Sequence, residues 1–352
     1  MKKFLTTLMC LCLVCAGALA QGMHPDSQIN YVKKQIKQKN ETIVKAYEQL
    51  KQAADQALET PTHALKDFSV PGFYINPDAH RKNSKSLQTD AFNAYACALC
   101  YRLSGEKKYA QKACRIMDEW AYLNERFSEY DGSLVMAYSG TGLVNAALLM
   151  KNQKIWKKES KKQFGQWVSR VYNKAADSIR YRANNWADWG RYASVLSASY
   201  LGDKAEILKN AELIRSDIKH KIAKDGSMPE ETRRGANGIW YTYFSLAPIT
   251  AASWIIYNES GINLFREDFD GIKFKMALDY LLYYSNHPDE WPHFKKVNKP
   301  QPGYWPYMLF EAMKGIYHED EYATFTRSQQ PIMCDKHHFA WTFPTLMPLQ
   351  MK

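Results

Sequence analysis

The chain has 352 residues, 24% charged and 46% hydrophobic, with 47 Lys and Arg against 36 Asp and Glu and a formal charge of +11. Its seven cysteines are too few for a disulfide scaffold at this length. The basic surplus comes without a helix-turn-helix, zinc or RNA-recognition pattern, so nucleic acid is not the expected partner.

Lys2 and Lys3 precede an apolar run, LTTLMCLCLVCAGALA, that ends in small residues. This pattern predicts a secretory signal over residues 1–20, cleaved after Ala20. The run is too short for a membrane anchor and polar sequence follows it. Cys15 follows Val14, a poor context for lipoprotein cleavage. No other stretch approaches a membrane span, so an exported, soluble chain over 21–352 is expected. The signal carries two lysines and no acid, which leaves +9 after its removal. An acidic polysaccharide would suit both the compartment and the charge. The four remaining cysteines are Cys97, Cys100, Cys114 and Cys334. Cys97 and Cys100 lie three residues apart in an apolar helical pattern and read as core. No metal-ligand cluster and no cofactor motif appears, and chelators are expected to leave any activity intact.

In chain order, residues 27–58 read as one long amphipathic helix ended by Pro61. Residues 67–85 hold two prolines, a glycine and no helical period, and read as a long loop of the kind that forms lids. Helices are predicted from Ser86 to Gly105, over EKKYAQKACRIMDEWAYL, and up to about Met150. Further helices follow at 157–181, 184–201, 203–222, 238–258 and 272–285. Residues 286–303 hold four prolines and form a second long loop. A helix at 304–317 and a short one near 319–328 precede an irregular tail with the pair His337–His338 and Trp341. No run of alternating residues predicts a strand. About ten or eleven helices in one unbroken domain suggest an all-α fold, an incomplete α/α toroid of helical hairpins.

The stretch 226–248, DGSMPEETRRGANGIWYTYFSLAP, concentrates donors and a phenol. Arg234 and Tyr241 are seven residues apart, and Asn237 lies between them at i+3. The three share one face if the helix reaches back to Arg234. Gly235 and Gly238 weigh against that, and would let backbone approach a ligand. A guanidinium, an amide and a phenol together suit recognition of a carboxylate beside a proton-transfer group. The plain reading of each aromatic here is core packing.

Three segments resemble polysaccharide lyase family 5 of the alginate lyase superfamily, from about Ser84 to Tyr307. The family's Asn-Asn-His-x-Tyr-Trp motif resembles NNWADWGRYA, with Asn184, Asn185 and Trp189 matching. Trp186 stands at the histidine and Asp188 at the tyrosine. The family's Pro-x-Glu-Leu-x-Arg segment, with its later Tyr, Leu and Pro, is matched by Pro229, Glu231, Arg234, Tyr241, Leu246 and Pro248. Asn237 replaces a second arginine and Phe244 a second tyrosine. Ser84, Lys85 and Asp90 fit a Ser-Lys pair followed by an acid. Tyr304, Trp305 and Tyr307 match part of a late aromatic segment.

The resemblance implies an α/α toroid and β-elimination on a 4-linked uronate. It implies Tyr241 as acid and base, with its pKa lowered by Arg234. Asn185 and Arg234 would neutralise the uronate carboxylate while charge builds in an enolate-like transition state. Asn184, Lys85, Trp186, Asp188, Trp189, Arg233, Asn237, His293, Tyr304 and Trp305 are the candidate substrate-binding residues. Trp186 cannot move a proton, so either Tyr241 does both jobs or another histidine, His293 or His80, fills the gap. Asn184 and Asn185 could instead cap the helix that follows. The tryptophans Trp186, Trp189, Trp240, Trp291 and Trp305 could stack on sugars or pack as core. Two other readings remain. One is a glycoside hydrolase using two of Asp188, Glu230 and Glu231. The other is a non-catalytic binder of acidic glycans. The polymer, its epimer, the endo or exo mode and the oligomeric state are left open.

Overall fold

The computed structural model describes residues 22–351, so the predicted signal over 1–20 lies outside the described residues. Helix follows helix. In order they are α1 (Asp26–Lys37), α2 (Glu41–Glu59), α3 (Pro77–Ser104), α4 (Lys107–Leu123), α5 (Gly132–Ser139), α6 (Thr141–Met150), α7 (Lys158–Trp167), α8 (Asn173–Ile179), α9 (Asn185–Leu201) and α10 (Lys204–Lys221). Then come the one-turn α11 (Pro229–Thr232), α12 (Gly238–Ser260), α13 (Phe274–Asn286), α14 (Tyr307–Tyr317) and α15 (Asp320–Arg327). The fold is all-α, as expected.

Several boundaries differ from the predicted ones for local reasons. The helix read over 27–58 is two, because Asn40 caps α2 by accepting from the Ile43 N–H at 3.2 Å. The loop read over 67–85 ends earlier, because Pro77 occupies the first turn of α3, where its missing N–H costs nothing, and Asn76 caps it. Two three-residue strands, β1 (Asp67–Ser69) and β2 (Arg126–Ser128), pair in parallel with Phe68 opposite Phe127. The sequence shows neither. The run Gly132–Met150 is long and apolar enough to cross a membrane, against the expectation that no such stretch remains. It is 89% buried inside the fold and divides at Gly140 into α5 and α6, so its apolar surface already has protein neighbours.

Helices α3, α6, α9 and α12 pack in succession and α12 meets α14, making an inner ring. Outside it, α2 and α4 lie on α3, α8 and α10 lie on α9, and α13 lies on α12. This is the α/α toroid. The inner helices are the ones with apolar residues all round: nearly every residue of α9, and of α12 as far as Ile256, is buried. The hairpin helices α2 and α4 instead bury one stripe each.

The middle of the ring is filled by the irregular stretch after Gln330. Phe339 and Phe343 meet Phe92, Phe343 meets Tyr95, and the Trp341 indole N–H donates to Thr250 Oγ1 at 3.0 Å. Ser139 donates to the His337 carbonyl at 2.8 Å, and Tyr243 meets His338 Nε2 at 2.9 Å. One contiguous core thus joins helices and tail. Gly142 shows how close the layers lie. A Cβ there would sit 2.7 Å from the Ala91 carbonyl oxygen and 2.9 Å from Phe339 Cδ2. Gly142→Ala is expected to lower stability by about 1–3 kcal/mol, since neither backbone nor ring can withdraw. A urea-unfolding midpoint equal to that of the unsubstituted protein would contradict this.

Candidate active site

One rim of the ring opens into a cleft of about 1130 Å³. Its walls come from the loop before α3 and the start of α3, residues 130–138, the entry to α9, the turn before α12 and the start of α12, residues 298–305 at the end of the second long loop, and the tail at 336–337.

Tyr241 is part of its lining. The stretch just before α12 does not continue the helix back to Arg234. Residues Gly235–Asn237 form a 3-10 turn, with Gly235 at φ +60°. The Arg234–Tyr241 contact forms all the same, since the turn brings the guanidinium carbon to 4.3 Å from the phenol ring centroid. Gly238 has its own reason to be glycine: a Cβ there would meet the Trp291 ring at 2.7 Å and the Thr232 carbonyl at 2.9 Å.

The first long loop reaches across the opening. Tyr74 places its hydroxyl 2.6 Å from the Tyr241 hydroxyl, and Arg234 Nη2 donates to Tyr74 at 3.4 Å. Phe73, Tyr74 and Ile75 are otherwise exposed. The loop is pinned by Asp131, which accepts from the Phe73 N–H at 2.8 Å. The second long loop docks beside the 3-10 turn, where the Asn298 N–H donates to the Ala236 carbonyl at 2.8 Å.

Electrostatically the cleft is cationic. Lys85, Arg182, Arg234 and Lys336 line it, and none has a carboxylate within 4 Å among the described residues. The Arg182 guanidinium carbon lies 3.8 Å from the Trp186 ring centroid. Among the described residues, Asp131 is the one carboxylate in the lining.

The expected lowering of the Tyr241 pKa is not the net result. Burial pushes it well above the usual phenol range, and the Tyr74 phenol adds to that. The Arg234 guanidinium pulls the other way and loses.

Of the other candidates, Asn184, Asn185, Lys85, Trp186, Asn237, Tyr304 and Trp305 all line the cleft. Asn184 also caps α9, accepting from the Trp186 N–H at 3.2 Å. Four candidates lie elsewhere. Asp188 is buried behind the wall, bonded to Lys221 at 2.7 Å and to Ser245, because an acid there needs a cation. Trp189 is wholly buried against Tyr138, Phe244 and His338, as an inward-facing aromatic of an inner helix must be. Arg233 points to solvent and pairs with Glu230 three residues back. His293 bonds the Tyr280 hydroxyl at 2.8 Å, outside the cleft. Trp291 is buried core.

His80, the other candidate histidine, does line the cleft, on α3 and not in a loop. Its Nδ1 is held by the Pro71 carbonyl at 2.9 Å and by Asp131 at 3.2 Å. His337 went unpredicted as a site residue. Its ring lies over Phe244 at 5.3 Å, with Nδ1 at 3.3 Å from the Tyr304 hydroxyl. Burial lowers its pKa to about 4, so the imidazole is neutral. Its backbone at φ +69° is a conformation that bulky residues rarely adopt. Tyr74, Tyr130, Tyr138 and Arg182 also line the cleft without having been predicted. Of these, only Tyr74 falls in a segment the sequence marks out, the first long loop.

The chain matches the family model described as Alginate lyase over residues 30–291, most of its length. It belongs to the alginate lyase family. The lyase fold is shared with solved structures at low identity. An alginate lyase from Bacteroides ovatus superimposes with a TM-score of 0.73 at 18% identity, covering 90% of this chain and 97% of the other. Alginate lyase A1-III from Sphingomonas species A1 gives 0.74 at 15%, covering 95% and 98%. A tyrosine-to-phenylalanine variant of A1-III complexed with a tetrasaccharide gives 0.75 at 16%, covering 95% and 96%. No curated protein sequence matches. Family membership makes this lyase a polysaccharide lyase acting on an anionic polysaccharide.

Proposed function

We propose that this lyase is exported and cleaves a 4-linked uronate polymer, alginate or a related glucuronate- or mannuronate-containing glycan, by β-elimination. The observation that carries the reading is the Tyr241 phenol in a cationic cleft, with Arg234 over its ring and Tyr74 at its oxygen. As phenolate, Tyr241 takes H5 from the sugar. The C5–H electrons form the C4=C5 double bond as the C4–O4 bond breaks. Tyr241 then returns the proton to O4, so the proton count closes on one residue, a syn elimination. Arg234 and Asn185 are the groups for the uronate carboxylate, and Lys85, Arg182 and Lys336 hold neighbouring charges of the polymer. The exposed rings of Tyr74 and Tyr130 and the half-buried Trp186 are placed for stacking on sugars.

The hydrolase reading needs two carboxyl groups facing the bond. Asp131, the carboxylate in the lining, is engaged by Phe73 and His80, while Asp188 and Glu231 lie buried behind the wall. That favours elimination. The export part rests on the N-terminal pattern Lys2–Lys3, apolar run and small residues. The test is incubation with a panel of uronate polymers, followed at the near-ultraviolet absorbance of a 4,5-unsaturated uronate. Cleavage without that absorbance would mean a hydrolase, and binding without cleavage would mean a glycan-binding protein.

A further inference from the structure

Asn185 is the first residue of α9 and lines the cleft, yet its amide is already engaged. Its backbone N–H donates to Glu231 Oε1 at 2.7 Å, and its Nδ2 donates to Glu231 Oε2 at 2.7 Å. Glu231 is only 1% exposed and has no cation within 4 Å among the described residues. The amide oxygen of Asn185 is buried and meets no partner. In this arrangement one Nδ2 hydrogen is spent on Glu231, and the side-chain oxygen, an acceptor, has no donor. A carboxylate oxygen and an amide oxygen are both acceptors with no proton to share, so the Asn185 oxygen cannot bind the anionic substrate class this family acts on.

A carboxamide can turn over by exchanging oxygen and nitrogen, and its neighbours decide which way it sits. With Glu231 ionised, the observed orientation is the one that bonds. With Glu231 protonated on Oε2, its O–H can donate to the Asn185 oxygen, and the amide N–H groups are released. We propose that Glu231 is a positioning residue that takes up one proton as substrate binds and turns the Asn185 amide, so that its N–H donates to the uronate carboxylate. The proton comes from solvent, no bond to carbon changes, and the Asn185 backbone N–H keeps Oε1 throughout.

The surroundings suit that role. Burial moves the Glu231 carboxyl up to about 7, against the two Asn185 bonds. The nearby Asp188 carboxylate on α9 pushes the same way, and Lys221 on α10 opposes it. Arg234 also faces Glu231 from the turn before α12. Lys221 is spent on Asp188 at 2.7 Å and Asp217 at 3.5 Å, so its charge is largely answered before it reaches Glu231.

This inference rests on the uronate-lyase reading and is tested by binding. A Tyr241→Phe protein, which would not turn over, is titrated with a uronate oligosaccharide by calorimetry in two buffers of different ionisation enthalpy. Near pH 8 the expected result is uptake of close to one proton per site. Affinity is expected to fall about tenfold per pH unit above the Glu231 titration. In active enzyme, this dependence appears in KM and not in kcat. Adding Glu231→Gln supplies a permanent N–H donor to the Asn185 oxygen, so affinity should hold at its low-pH value with no proton uptake. The proton count needs no change at 231 and stands even if the Gln variant does not fold. Binding with no proton uptake overturns the proposal, and so does a folded Gln variant with the same pH slope. Failure of active enzyme to form unsaturated product from any uronate polymer overturns the underlying reading instead.

Discussion

Replacing Tyr241 by Phe is expected to lower kcat by on the order of 10²–10⁴-fold, with substrate affinity little changed. The ring stays, so its contacts with Arg234 and Trp240 stay. What is lost is the oxygen that moves the proton, with its hydrogen bond to Tyr74. A Phe variant with ordinary turnover would remove Tyr241 from the chemistry altogether. The pH profile gives the same answer from another side. Burial and Tyr74 hold the free phenol above its usual range. The phenolate is the working base, and its fraction grows as pH rises toward that pKa. Turnover should therefore climb through neutral pH and keep climbing into the alkaline range. The Glu231 effect runs in the opposite sense and acts on KM, so the two limbs separate when kcat and KM are measured independently.

Arg234→Ala should lower kcat/KM by on the order of 10²–10³-fold, the scale for removing one donor from a developing oxyanion. The guanidinium is half-buried, touches the Tyr241 ring and lacks a carboxylate partner among the described residues. A charge held so is ready for one brought by the substrate. Arg234→Lys should recover little, because a point charge neither lies flat on the ring nor presents a planar fork. The guanidinium also draws the Tyr241 pKa down, though burial outweighs it. The Ala variant should thus shift the rise of kcat to higher pH. An unshifted profile would separate Arg234 from Tyr241.

What could be read from the residues was what is close in the chain. Arg234, Asn237 and Tyr241 lie within eight positions, so local geometry keeps them close: Arg234 meets Tyr241, and Asn237 lines the same cleft, even though the helix starts after Arg234. Asn184 and Asn185 sit before an apolar helical run, where a cap is needed, and only tertiary contacts show that Asn185 spends its amide on Glu231, 46 residues away. Asp188 sits behind the wall for a reason just as distant in the chain. Its cation, Lys221, lies 33 residues on, and nothing local announces that a motif position has turned to face it. Trp189 satisfied a motif spacing and a core spacing equally, and the core won. Tyr74 and His337 come from irregular backbone, whose path is set by what it docks on. The αL conformation of a histidine at 337 has no sequence signature at all.

The stretch after Gln330 runs through the centre of the ring and supplies His337 to the cleft floor. Every helix it touches is synthesised before it. A growing chain can therefore stack its hairpins but cannot close its middle until this late stretch arrives, and catalysis has to wait for the same event. Versions halted before Gln330 should be cut readily by proteases and be inactive, although every helix among the described residues is present. Completeness is thus checked by the architecture itself: an unfinished copy stays loose and harmless.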